Sequence, residues 1–158
     1  MLRPAALSLL LALLSGCSFV GEDDSDLDPG TFRLDGYDEA VTGQALFRRF
    51  EDQPATRARV TLLVGEEVVM SIETDSLLDA EAGETLNPSV TYRPYRSPSG
   101  PGAFFVRRSG PLTVTSVGEG SIEGTFQFRM KDIAVGCLRC VETTVSGAFR
   151  AEVEPAGP

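Results

Sequence analysis

From Thr31 onward, apolar and polar residues alternate with a period of two. The clearest run is Ile122–Lys131. Ile122, Gly124, Phe126, Phe128 and Met130 fall on one side, and Glu123, Thr125, Gln127, Arg129 and Lys131 on the other. Residues 141–153 repeat the pattern, with Val141, Thr143, Val145, Gly147, Phe149, Ala151 and Val153 opposed to Glu142, Thr144, Ser146, Ala148, Arg150 and Glu152. Successive side chains of a strand point to opposite faces, so this alternation predicts antiparallel strands with one dry and one wet face. Further strands are predicted over 31–36, 41–50, 58–64, 67–73, 88–93, 103–108 and 111–117. Gly65-Glu66 supplies a tight hairpin turn between two of them. Residues 75–86 (DSLLDAEAGETL) are expected to hold one helical turn at most, because Gly83 and Pro88 keep it short.

About nine strands joined by Gly, Pro and Ser turns predict a single all-β domain, an antiparallel β-sandwich or a closed barrel. Its expected bounds are residues 31–154, with 155–158 as a C-terminal tail. Three strands begin alike: Gly30-Thr-Phe-Arg-Leu34, Gly124-Thr-Phe-Gln-Phe128 and Gly147-Ala-Phe-Arg-Ala151. A glycine two positions before an inward Phe leaves room for backbone bending or for a facing ring.

The first residues follow another pattern. Arg3 is followed by Ala5–Ser15 (AALSLLLALLS), an uninterrupted apolar and small-residue stretch. It suits the core of an export signal over residues 1–16 and is short of the ~20 residues that span a bilayer. Leu14-Ser15-Gly16-Cys17 follows at once. This tetrapeptide resembles the lipobox of bacterial lipoproteins: an aliphatic residue, two small residues that fit the peptidase, then the cysteine. The resemblance implies lipid on the Cys17 thiol, cleavage after Gly16 and acylation of the new amino terminus, palmitate being the expected kind of chain. With each buried methylene worth ~0.8 kcal/mol, two or more acyl chains make a firm membrane anchor. Ser18 stands where an inner-membrane retention signal places Asp, so the resemblance implies the outer membrane, on its periplasmic or surface face.

Residues 17–30 then read as a lipidated acidic tether, with Glu22, Asp23, Asp24, Asp26 and Asp28 ahead of Pro29-Gly30. Asp24-x-Asp26-x-Asp28, with Asp35 at the twelfth position, also matches parts of an EF-hand loop. Pro29 stands where that loop needs Gly, and no helical pattern flanks it. No metal is therefore assigned.

Composition narrows the chemistry. The formal charge is −9 at pH 7, and loss of Arg3 with the signal makes it −10. Nucleic acid and anionic headgroups would be repelled. The chain has no histidine, which excludes Ser-His-Asp and Cys-His catalysis and His-ligated metals. Tryptophan is absent too, removing the commonest platform for sugar stacking. Lys131 is the sole lysine among 14 basic residues, a bias that a GC-rich genome explains. No cofactor is implied.

With Cys17 lipidated, Cys137-Leu-Arg-Cys140 remains as a pair between the two best strands. A zinc half-site lacks its second pair of ligands, and haem attachment would need His where Val141 stands. A redox role would need a helix N-terminus to lower the thiol pKa. The leading expectation is a disulfide pinning a hairpin loop, favoured by an exported compartment and worth ~2 kcal/mol for so short a loop. Asp75, Asp79, Glu81, Glu84, Glu119 and Glu123 supply carboxylates for a two-carboxylate hydrolase, or simply a solvated face. The loop at 93–102 is rich in Pro and Gly. With Tyr92, Arg93, Tyr95 and Arg96 it is either a ligand-binding loop for an anionic or planar group, or a plain connection.

A second resemblance rests on Gly-Thr-Phe-x-Leu near the start of the domain, Gly110-Pro-Leu-Thr-Val-Thr-Ser-Val117, Ile122–Phe128 and Val145-Ser-Gly-Ala-Phe149. Together these resemble a group of small secreted bacterial β-domains carried by lipoproteins, which implies the fold and no activity. The expected function is therefore a non-enzymatic binding or interaction module held by lipid at the envelope. The alternatives are a lipocalin-like carrier of a small apolar ligand and a carboxylate-based envelope hydrolase.

Overall fold

The computed structural model describes residues 26–37, 39–50, 57–75, 77, 79–95, 103–133 and 140–154. These residues form an all-β fold of ten strands: β1 (Thr31–Asp35), β2 (Ala40–Phe50), β3 (Arg57–Val64), β4 (Glu67–Thr74), β5 (Thr85–Leu86), β6 (Ser89–Tyr92), β7 (Phe105–Ser109), β8 (Leu112–Val117), β9 (Ser121–Asp132) and β10 (Glu142–Val153). The alternation in the sequence places the strands to within a residue or two. The tenth strand is the two-residue β5, too short to leave a periodic signal.

The pairings run round a closed circuit: β1, β2, β3, β4, β6, β7, β9, β10 and back to β1. All but one are antiparallel. Below the end of β1, β10 and β2 meet in parallel through Glu152↔Leu46 and Val153↔Phe47. The expected antiparallel sheet is thus a mixed one. The exception arises because β10 and β2, each antiparallel to β1, outrun that five-residue strand. β7 and β8 follow one another along one edge of β9, β7 beside Arg129–Asp132 and β8 beside Ile122–Phe126.

The inward residues are mostly those that the period of two selects; in the 141–153 run Val141 and Val153, expected inward, are exposed at its ends, and Ala148, expected outward, is buried. Phe32, Phe47, Phe126, Phe128 and Phe149 are 5 % exposed or less, and Leu34, Val60, Leu62, Ile72 and Val145 are fully buried. Each large apolar side chain so buried contributes roughly 1.5–3 kcal/mol. Three of these rings fit because the residue across the ladder is glycine: Phe32 faces Gly43, Phe149 faces Gly124, and Phe126 faces Gly147. A Cβ on Gly147 would collide with the Arg33 carbonyl oxygen and with the Phe126 ring. The Gly-x-Phe starts of β9 and β10 are therefore places for a facing ring, the second of the two readings above.

Residues 75–86 depart from expectation. Their described part holds turns and β5, not a helical turn. Leu77 is fully buried, and Ala80 and Leu86 are nearly so. Gly83 adopts a positive φ of 90° and donates its N–H to Val114 O at 2.7 Å, and Val114 N–H returns to Glu84 O at 2.9 Å. Pairing with β8 and burial of Leu77 satisfy this segment better than one isolated turn of helix, which is costly to nucleate.

Where the β6–β7 ladder stops, a side chain takes over. The two strands pair only at Thr91↔Val106 and Tyr92↔Phe105. Beyond that point Arg107 reaches across. Its Nε donates to Gly110 O at 2.8 Å, Nη1 to Pro88 O at 2.9 Å and Nη2 to Asn87 Oδ1 at 2.9 Å, and the guanidinium lies 5.7 Å from the Phe128 ring centroid. Burial lowers its pKa from the usual arginine value. Gly110, at φ 105°, turns the chain against the β9 backbone so that its carbonyl meets Arg107.

Candidate functional site

The four residues expected to bind a ligand are separated by the fold. Tyr92 ends β6 on the same parity as Val90 and points inward, with no exposed surface. This corrects its assignment to a ligand-binding loop. Its ring packs on Phe105, with centroids 5.8 Å apart. The hydroxyl donates to Glu39 Oε1 at 3.0 Å and accepts the Tyr37 N–H at 3.1 Å. Burial raises the phenol pKa well above its ordinary value. The Tyr37 N–H opposes that shift, and the Glu39 charge adds to it. Tyr95 N–H also donates to Glu39 Oε1, at 2.7 Å, so one carboxylate ties the β1–β2 turn to the chain beyond β6. The Tyr95 side chain is at the surface. Arg96 lies outside the described residues.

Arg93 is the member of the set that sits in a site. Residues just past the ends of β6 and β7 continue the outward rows of the sheet, so the register Tyr92↔Phe105 brings Arg93 beside Phe104. The guanidinium lies 5.1 Å from the Phe104 ring centroid. On the other side, Arg93 N–H donates to Val69 O at 2.8 Å. Val69 is the extra residue of a bulge, where β3–β4 pairing passes from Leu62↔Met70 to Leu63↔Val68. Such a bulge re-aims neighbouring side chains. Together Val68, Val69, Ser71, Thr91, Arg93 and Phe104 line an open outer groove of about 380 Å³. Volumes of this order hold small molecules.

Phe104 is also tied to the chain just beyond β9. Ile133 N–H donates to Phe104 O at 2.9 Å, and the Ile133 side chain is 48 % exposed. One row below, Thr91↔Val106 and Val106↔Lys131 place the sole lysine two strands from Thr91 on the same face. Lys131 stands across the ladder from Glu142, and no ion pair of Arg93 is found among the described residues. Four other arginines meet carboxylates. Arg59 Nε lies 2.6 Å from Glu73 Oε1, Arg48 Nε 3.8 Å from Glu154 Oε2, and both guanidinium groups also flank Phe50. Arg129 meets Glu142 at 3.1 Å and Arg150 meets Glu123 at 3.1 Å.

Of the other candidate residues, Asp75, Asp79, Glu81, Glu84 and Glu119 are exposed. Glu123 is held by Arg150, and Glu84 Oε2 accepts the Glu81 N–H within its own turn. Asp26 and Asp28 are exposed, Asp24 lies outside the described residues, and no group of three or more metal-binding side chains is found among the described ones. Cys140 is half-buried ahead of β10 and is not a free thiol. Cys137 and Cys17 lie outside the described residues, so their pairing and lipidation are not part of this geometry. Sequence reasoning missed Phe104, Val68 and Val69. Phe104 and Val68 carried only an outward parity whose register was unknown, and Val69 is a buried bulge residue that no alternation marks. Comparison of the chain with protein-family models, with curated proteins and with solved structures gives no match.

Proposed function

We propose that the chain is a lipid-anchored envelope protein whose β-domain is a non-enzymatic binding module, with the groove around Arg93 and Phe104 as its working surface. The observation that carries this reading is the position of the groove in the ring. The segment from Cys17 enters the domain at β1, and β6, which bears the groove, is four strands away in either direction round the circuit. A domain held at β1 keeps the groove wall turned from its attachment. Residues 17–30 can span at most about 45 Å, so the domain stays close to the membrane that holds Cys17.

The reading favours a surface groove over a lipocalin-like carrier because the ring interior is occupied by Phe32, Phe47, Phe128, Phe149 and Tyr92, each 4 % exposed or less. A Cys137–Cys140 disulfide belongs to the same proposal, as a clamp on the approach to β10. The test is expression of the full chain and of Cys17→Ser in a Gram-negative host, with palmitate labelling and fractionation. The parent chain takes up label and sediments with membranes, whereas the variant is unlabelled and soluble. Equal sedimentation of the two sinks the proposal.

A further inference from the structure

We propose that the β1–β2 turn is an acid-released latch on the groove: Glu39 clasps Tyr92 and Tyr95, and protonation of its carboxylate frees the turn and the chain beyond β6 that carries Arg93. This gives the groove of the binding-module reading a means of regulation, and in that respect rests on it. The latch joins two distant stretches of chain through one oxygen atom. Glu39 Oε1 accepts the Tyr92 hydroxyl at 3.0 Å and the Tyr95 N–H at 2.7 Å. Gly36 N–H closes the turn on Glu39 O at 2.7 Å, and a Cβ on Gly36 would collide with the Tyr92 hydroxyl, so the turn lies directly against that side chain. The Tyr37 ring packs below it, 5.6 Å from the Phe105 ring. Arg93 and Tyr95 are pinned at separate points, Arg93 N–H by Val69 O and Tyr95 N–H by Glu39. Releasing Tyr95 loosens the groove wall where the Arg93 guanidinium lies on Phe104, while Tyr92 stays paired with Met70 of β4.

Charge is what makes the latch sensitive to acid. Glu39 takes both donors as an anion, and hydrogen bonds to a charged acceptor are roughly twice as strong as neutral ones. A neutral carboxyl gives up that advantage at both contacts at once. The other ionisable groups at this end of the ring are Tyr37 in the turn, Tyr92 of β6 and Asp132 of β9, which stands across the ladder from Phe105. On the inner side β2, β3, β4 and β7 bring Val41, Val64, Met70 and Phe105, and β10 brings Thr143. Arg33 and Asp35 of β1 and Arg93 beyond β6 stand on the outer rows.

The chain carries its own reporter. It has no tryptophan, and its three tyrosines are Tyr37, Tyr92 and Tyr95, so tyrosine emission reads the latch alone. The full chain is titrated from about pH 7 to about pH 3.5, the range in which carboxylates protonate, with emission and the far-ultraviolet signal of the sheet followed together. Emission changes in one step while the sheet signal holds. Glu39→Gln keeps the shape and removes the charge. It shows the acid emission already at neutral pH, loses the step, and exchanges its Tyr95 amide about tenfold faster than the parent chain. Asp132→Asn keeps the step. Emission that is flat with pH, a step that coincides with loss of the sheet, a step that survives in Glu39→Gln, or one that vanishes in Asp132→Asn overturns the inference. Should Glu39→Gln not fold, Glu39→Asp replaces it, charged but too short to reach both donors. Its Tyr95 amide exchanges faster than in the parent, and parental exchange there overturns the latch. Because the tyrosines report without lipid or ligand, failure of the latch is read separately from failure of the anchor in Cys17→Ser.

Discussion

The β9–β10 and β6–β7 seams of the ring are closed by different means. Between β9 and β10 the backbone ladder runs unbroken from Glu142↔Lys131 to Glu152↔Ser121, and rings on each strand sit over glycines on the other. Between β6 and β7 the ladder ends after Tyr92↔Phe105 and Thr91↔Val106, and the Arg107 side chain closes the remainder. Steric fit holds one seam and hydrogen bonds from a single cation hold the other. The candidate binding groove lies over the second. A continuous ladder leaves little freedom to shape a surface, whereas a short one, beside the β4 bulge, sets Arg93, Phe104 and Val69 at angles that a regular sheet would not.

The largest expected effect comes from breaking the fitted seam. Gly147→Val drives two methyl groups toward the Arg33 carbonyl and the Phe126 ring and lowers unfolding free energy by ~3 kcal/mol or more. Urea denaturation checks it, and a variant as stable as the parent chain would show that the glycine–ring fit is dispensable. Arg107→Ala tests the stitched seam. It leaves three carbonyl acceptors without their charged donor and costs ~2 kcal/mol. Amide exchange should quicken first around Val90 and Val106, and uniform acceleration along β9–β10 would contradict the division between seams.

Tyr92→Phe probes the other end of the β6–β7 seam and has the smallest effect, ~1 kcal/mol at neutral pH through loss of the bonds to Glu39 and Tyr37. Its signature is in alkali. The folded phenol holds its proton more tightly than the unfolded one. Its contribution is therefore complete below pH 10 and falls as pH rises past 10, by up to ~1.4 kcal/mol per unit. The variant should lose that part of the alkaline slope, measured as unfolding free energy against pH. An unchanged slope would place the hydroxyl in water.

Strand positions and the dry face were legible because burial on one side of a sheet leaves a mark at every second residue. Ile122–Met130 carries it in full, and all its even positions are inward in the fold. Tyr92 was legible by the same rule, as it shares parity with Val90, although it borders the loop-like Arg93 and Pro94. Ring closure through Glu152↔Leu46 was not legible, since a pairing between positions so far apart leaves no local pattern. Arg107 and Arg108 are adjacent and alike in sequence, yet one turns into the seam and the other outward. Arg107 keeps the parity of inward Phe105, and Arg108 is the extra residue of the bulge where β7 meets β9. The groove itself is a product of register, because Val69, Arg93 and Phe104 become neighbours only when β4, β6 and β7 come into line.

The parallel clasp between β10 and β2 also governs how the molecule is made. Val153 N–H reaches Gly120 O at 2.9 Å and Glu154 N–H reaches Phe47 O at 2.8 Å, so strands near both ends of the chain complete the circuit together. While the chain is emerging, β1 and β2 present open edges with no partner from β10, and contacts this distant in sequence form slowly. Closure waits for the last strand. Until β10 is in place the circuit stays open, and only with it do the eight strands of the ring lose their free edges.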